Sequence, residues 1–235
     1  MAEVGADRHT DDRYIAIRAE FGADSALANG YRTQAYFERE QALLLSLIGE
    51  RSGLVADFAC GSGLMGLPLQ SAEFEIVGVD FNHSACCAAA KNGIQVVRGD
   101  VFRLPFADAV LDLGFACQFF NQQTDQAVSA FIAEASRCLK PAARLFLVWR
   151  NHNAWVHRIA HALFSVADGF RKRPRFPLHS HPLDKVKKSC EAHGFVVIDA
   201  LVSFPTLSWH SRDVDSAVAN FIGASLVLVV EKTSA

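Results

Sequence analysis

Leu54-Val55-Ala56-Asp57-Phe58-Ala59-Cys60-Gly61-Ser62-Gly63 reads as a short apolar strand running straight into a glycine-bearing turn. The strand shows no alternation of apolar and polar residues, which indicates burial on both faces of a sheet rather than on one. Gly61 and Gly63 permit a tight turn and let backbone approach a ligand where a Cβ would clash. Asp57 is the one charge in the run.

The pattern repeats downstream. Glu75 to Asp80 is a second strand, and His83 to Asn92 an alanine-rich helix ended by Gly93. Ile94 to Arg98 and Ala109 to Phe115 are the third and fourth strands. Thr124 can cap a helix whose apolar positions, Ala127, Val128, Phe131, Ile132, Ala135 and Leu139, keep a 3.6-residue period. Lys140-Pro141 stops it, and Arg144 to Trp149 is a fifth, apolar strand. A helix is expected from Leu64, and two more upstream over Tyr14 to Phe21 and Asn29 to Ile48. Leu183 to His193 is a helix closed by Gly194, and Phe195 to Val202 and Ala224 to Glu231 are two final strands with no helix of usual length between them. Strands alternating with helices predict an α/β, doubly wound, mostly parallel seven-stranded sheet, with an antiparallel C-terminal edge strand. One domain over 1–235 is expected: a helical cap (1–50), a cofactor-binding half (54–150), a substrate lid insertion (151–182), and a C-terminal helix and strand pair (183–235).

A net charge of -2 offers no global attraction to nucleic acid or anionic membrane. No apolar stretch approaches the roughly 20 residues of a membrane helix, and the polar start, Met1 to Arg13, is no secretory signal. The six cysteines form no CxxC pair and several lie in apolar runs, which suits reduced thiols. The cytoplasm is the expected compartment.

Ligands of open α/β sheets bind at the carboxyl ends of strands. Three features sit there: the turn from Asp57 to Gly63, Asp80, and Gly99-Asp100-Val101. A carboxylate at Asp80 can accept from both hydroxyls of a ribose, and Asp100 from an adenine amino group. Gly61-Ser62-Gly63-Leu64-Met65-Gly66 is also formally GxGxxG, so a nicotinamide-dependent oxidoreductase is an alternative, as is a cofactor-binding module without catalysis. Asp57 weighs against a pyrophosphate and for a cationic ligand, such as the amino group and sulfonium of S-adenosylmethionine.

Asp57 to Gly63 resembles the D-x-A-C-G-T/S-G form of motif I in class I S-adenosylmethionine-dependent methyltransferases, particularly the broad group that includes the ubiquinone/menaquinone biosynthesis enzymes. Val77-Gly78-Val79-Asp80, Gly99-Asp100, Leu104-Pro105-Phe106 and the Arg137-Cys138-Leu139-Lys140-Pro141 stretch follow in that family's order. The resemblance covers about residues 30 to 150 well, and 183 to 232 through strand order. It implies a Rossmann-like methyltransferase fold with S-adenosyl-L-methionine as cofactor. It assigns Asp57, Ala59 (where the commoner motif has glycine), Gly61 and Gly63 to the methionine moiety, and Asp80 to the ribose. Phe81 would pack on adenine, Asp100 and Val101 hold its edge, Cys117 line the reacting methyl, and Tyr31 or Arg32 close over the methionine carboxylate.

On the acceptor side, His152 and His181 are candidate general bases in loops after the fifth strand. His157 and His161 have i, i+4 spacing, but without an H-E-x-x-H pattern no metal is expected. An apolar stripe from Trp155 to Phe170 precedes the basic run Arg171 to Arg175; a core-facing helix explains it, and a lid touching a lipid interface is the sharper alternative. Ala116 to Asn121 lacks the Asn/Asp-Pro-Pro-Tyr/Phe motif of amino-methylating nucleic-acid enzymes. A small molecule or lipid headgroup is therefore the expected acceptor, with no nucleic-acid partner; the sequence leaves the oligomeric state open.

Overall fold

The computed structural model describes residues 31, 33–70, 74–151, 154–155, 179–204, 209–214 and 223–234. The chain order is α1 (Gln34–Ile48), β1 (Gly53–Phe58), β2 (Phe74–Asp80), α2 (His83–Lys91), β3 (Gln95–Arg98), β4 (Leu111–Cys117), α3 (Asp125–Cys138), β5 (Leu139–Arg150), α4 (Leu183–Ala192), β6 (Phe195–Phe204), β7 (Trp209–Ser211) and β8 (Ser225–Lys232). Side-chain caps set three helix starts. Thr33 accepts from the Tyr36 amide, Asn82 from Ala85, and Thr124 from Ala127.

The sheet runs β3-β2-β1-β4-β5-β8-β6-β7. The first five strands are parallel, and β8 is antiparallel to both β5 and β6. The doubly wound, mostly parallel sheet with an antiparallel C-terminal strand matches the sequence reading, with two differences. A short β7 folds back on β6 and makes eight strands rather than seven. The last strand in sequence lies inside the sheet, because β8 is apolar along most of its length and needs cover from both neighbours.

A further difference follows the glycine turn. The helix expected from Leu64 is a short 3₁₀ turn, Leu67–Leu69. A helix begun at Leu64 would set Pro68 where its ring meets the carbonyl four residues back and where it has no N–H to give. The carbonyls of Leu64 and Met65 instead accept from Gln41 Nε2 of α1, at 2.6 and 3.3 Å.

Strand pleating assigns the site its faces, since alternate residues point to opposite sides. Val55, Leu113, Phe115 and Phe146 pack with α1 on one face. Ala56, Phe58, Leu145 and Leu147 pack with Phe131 of α3 on the other. Asp57, in register with Gly78 and Phe115, therefore points to the α1 face. All six cysteines are free thiols, and among the described residues no helix is long and apolar enough to cross a membrane.

Candidate active site

The turn after β1 winds through three left-handed residues: Ala59 (φ 57°), Gly61 (φ 57°) and Gly63 (φ 74°). For Ala59 that conformation costs roughly 1–2 kcal/mol, which explains why glycine is the commoner residue there. A Cβ on Gly63 would come within 2.8 Å of Ile94, so the turn can press against the chain between α2 and β3. Asn92 Nδ2 clamps it from that side, donating to the Ser62 carbonyl at 3.0 Å.

Asp80 ends β2 and ties the turn to the next loop. Its Oδ2 accepts from the Gly61 amide and its Oδ1 from the Asn82 amide, both at 2.9 Å. Asp57 is different. It is only 2% exposed, and its Oδ2 has no hydrogen-bond partner among the described residues. Burial, and then the neighbouring Asp80, push its carboxyl well above the usual carboxylate range. A Cβ on Gly66 would lie 3.4 Å from that oxygen and 3.2 Å from the Phe115 ring, so the glycine keeps the space beside Asp57 open.

Of the remaining expected cofactor residues, Phe81 stands at the end of β2 with 36% of its surface exposed, and Val101 is buried. Asp100 is exposed and closes a local turn, its Oδ1 accepting from Phe102 N at 2.9 Å. Cys117 is half-buried at the end of β4; burial, Glu40 and Asp57 push its thiol up. Tyr31 is buried beside α1, its ring edge-on to Phe37 at 5.1 Å. Arg32, His152, His157 and His161 lie outside the described residues, as does nearly all of the expected lid.

His181 does not join this group. Its Nδ1 faces Asp125 Oδ1 at 2.9 Å, and its Nε2 faces the carbonyls of Phe120 and Gln123 at 2.9 and 3.0 Å. The ring packs against Phe120, on the sheet face opposite Asp57. Both ring nitrogens are within hydrogen-bond distance of protein oxygens, and the side chain is buried, so neither nitrogen faces the Asp57 side of the sheet. In the structure His181 clamps the 179–182 segment to the start of α3, away from the cofactor residues expected around Asp57.

The α1 face instead holds a polar cluster that sequence reading passed over. Glu40 of α1 is 1% exposed. Its Oε2 accepts from Gln118 Nε2 at 2.9 Å, while its Oε1 has no partner among the described residues. Gln118 Nε2 also reaches Ser225 Oγ at 3.3 Å, and Ser225 bonds the Tyr36 hydroxyl at 2.6 Å. One signal was available. Glu40 falls on the stripe of Tyr36, Leu43, Leu44 and Ile48, and an acid on the apolar side of a helix needs a reason.

This arrangement coincides with a family match. Residues 55–142 fit the model of a methyltransferase domain, from β1 through the start of β5. Residues 55–142 are thus similar to a methyltransferase domain. Class I methyltransferases, the family the sequence resembles, take S-adenosyl-L-methionine as their cofactor. The chain is 32% identical over 94 residues to a demethylmenaquinone methyltransferase of Corynebacterium kroppenstedtii, a match that spans 39% of each chain. The match thus covers about two fifths of the length of that curated relative. Among solved structures, an S-adenosylmethionine-dependent methyltransferase of Methanosarcina mazei superposes with a TM-score of 0.64 at 18% identity, over 82% of this chain and 98% of the other. A magnesium protoporphyrin IX methyltransferase of Synechocystis, solved with S-adenosylhomocysteine, gives 0.63 at 16% identity over 96% and 94%. These likenesses are of fold. The site suits S-adenosyl-L-methionine on one structural ground: a buried acid oxygen without a donor among the described residues, beside an open glycine, is complementary to an ammonium group. The GxGxxG alternative fares worse. Among the described residues the glycines are followed by a 3₁₀ turn and not by an α-helix, so a pyrophosphate would lack the helix N-terminus that stabilises it and would meet Asp57 instead.

Proposed function

We propose that this protein transfers the methyl group of S-adenosyl-L-methionine to a small-molecule or lipid-type acceptor. The observation that carries the reading is the unpartnered, buried Oδ2 of Asp57, one strand away from Asp80 at the carboxyl edge of a parallel sheet. In this reading Asp57 takes the cofactor's amino group, and the turn of Ala59, Gly61 and Gly63 passes under the methionine chain. Asp80, fixed by the Gly61 and Asn82 amides, takes the ribose hydroxyls. Phe81 offers an aromatic face to adenine, and Val101 with the Asp100 backbone bounds its edge. Cys117 borders the methyl end, and Arg32 or Tyr31 covers the carboxylate.

S-adenosylmethionine supplies an electrophilic methyl on a positively charged sulfur. The protein's own contribution is alignment, worth up to about 7–11 kcal/mol in well-oriented systems, together with exclusion of water by the α1 face. A small-molecule acceptor is supported by the names of the similar proteins, which include a quinone and a porphyrin methyltransferase. Calorimetry tests the reading: S-adenosylhomocysteine is expected to bind saturably and NAD not to bind. A preference for NAD would overturn it.

A further inference from the structure

Among the described residues, Asp57 is one of two buried carboxylates with an unmet oxygen on the α1 face; Glu40 is the other. The two serve different ends of the site. Asp57 lies at the end of β1, next to Asp80. Glu40 lies across β4, above the ends of β4 and β8, where Gln118 and Ser225 hold it. Cys117 stands between and is electrostatically coupled to both. Gln118 is in the left-handed region (φ 59°), and its amide donates to the Val148 carbonyl at 2.7 Å. That backbone turn, which an ordinary side chain enters only at a cost, delivers the Gln118 amide to Glu40.

The polar groups leave Glu40 half-satisfied by design of the chain. Oε2 has its donor; Oε1 has none in hydrogen-bond geometry among the described residues, and the buried Tyr31 hydroxyl is the polar group that bears on it. The titratable and charged groups around it are Tyr31 and Tyr36 on the α1 side, Cys117 on β4 and Arg150 on β5. Burial outweighs the hydrogen bonds and the Arg150 charge, so the Glu40 carboxyl is held above the usual range. A positive charge entering nearby favours its ionised form.

We propose that Glu40 is the general base of the methyl transfer, taking a proton at Oε1 from the acceptor's reacting O–H or N–H, and that the cofactor's sulfonium is what ionises it. The inference rests on the methyltransferase reading above. As the acceptor heteroatom bonds the methyl carbon, the carbon–sulfur electron pair stays on sulfur and the acceptor proton passes to Glu40. The charge that had ionised Glu40 disappears in the same event, so the protonated acid is the stable form beside the neutral thioether product. Base and methyl donor thus become competent together.

Binding alone tests this, with no acceptor present. Calorimetry at about pH 6.5, below the ordinary α-amino range of about 7.7–8.0, in buffers of different ionisation enthalpy, counts the protons released by each ligand. The Asp57 share is common to both ligands and cancels. S-adenosylmethionine is expected to release more protons than S-adenosylhomocysteine, by up to about one. In Glu40→Gln, whose amide oxygen can still accept from Gln118, the difference should vanish; in Glu40→Asp, which keeps a carboxylate, it should persist in part. Equal proton counts for the two ligands in the wild-type protein would overturn the inference while leaving the cofactor reading intact. So would a difference that survives in a folded Glu40→Gln protein. Failure of the wild type to bind either ligand would instead remove the cofactor reading, and this one with it.

Discussion

At the scale of single residues, the two strand-end aspartates make opposite contributions and respond differently to substitution. Asp80 is fixed by backbone donors, so its removal is read chiefly in binding. Asp80→Ala is expected to weaken S-adenosylhomocysteine affinity about 10–100-fold, or roughly 1.4–2.8 kcal/mol, and an unchanged affinity by calorimetry would refute the ribose role. Asp57 is a buried acid that the apo fold leaves unmet, and its folded-state pKa is raised by burial and by Asp80. The folded state therefore holds the proton more tightly than the unfolded chain does. Its contribution to stability is present below the ordinary carboxylate pKa and is lost as pH rises through the raised value. Glu40 adds a slope of the same sign. Asp57→Asn removes the ionisation at constant shape, so the apo protein should melt higher at pH 8, by about 1–3 kcal/mol, with a flatter pH dependence. The same variant should lose its thermal shift on adding S-adenosylhomocysteine. A mutant no more stable than wild type at pH 8 would mean that Asp57 already has a partner.

At the scale of elements, the junction of α3, α4 and the 120–123 turn is knotted around His181. Asp125, at the first turn of α3, bonds both His181 Nδ1 and Lys185 Nζ, and the His181 carbonyl accepts from Trp149 Nε1 at 2.9 Å. His181→Ala would leave the buried Phe120 carbonyl and the half-buried Gln123 carbonyl without their donor, at about 1–3 kcal/mol for the buried one, while touching nothing on the α1 face. Chemical denaturation should show that loss, and S-adenosylhomocysteine affinity should stay within about twofold. A normal melt with lost activity would restore His181 as a catalytic group. This junction also marks where sequence reading runs out. The caps at Thr124 and Asn82, and the periodic face of α3, are local signals, and they appear in the structure where the sequence puts them. The strand-turn-strand set around Asp57 and Asp80 is equally local. His181, Glu40, Gln118 and Ser225 draw their meaning from partners tens of residues or more away, and no local pattern records such pairings. Pro68 was legible as a breaker, and its effect on the helix expected from Leu64 was underweighted.

At the scale of the whole molecule, the end of the chain completes the middle of the sheet. β8 is buried along Ser225 to Val230 and bonds β5 on one side and β6 on the other. Without it, β5 would present an unpaired apolar edge, and β6 and β7 would have nothing to join. The same strand carries Ser225 into the polar cluster, so closure of the sheet and assembly of that cluster are one event. Such late, non-local pairing bears a loop-closure cost before any contact repays it, which slows folding. A chain ending at residue 223 is accordingly expected to lack a cooperative thermal transition and to aggregate, whereas removal of Ser234 and Ala235, beyond the last strand, should leave the melt unchanged. Supplying Ser225 to Ala235 as a separate peptide should restore some cooperativity to the truncated chain, because an edge-to-edge slot between β5 and β6 is what the peptide would fill. A truncated chain that melts cooperatively by itself would show that the five parallel strands form a self-sufficient core, with β8 an accessory to it.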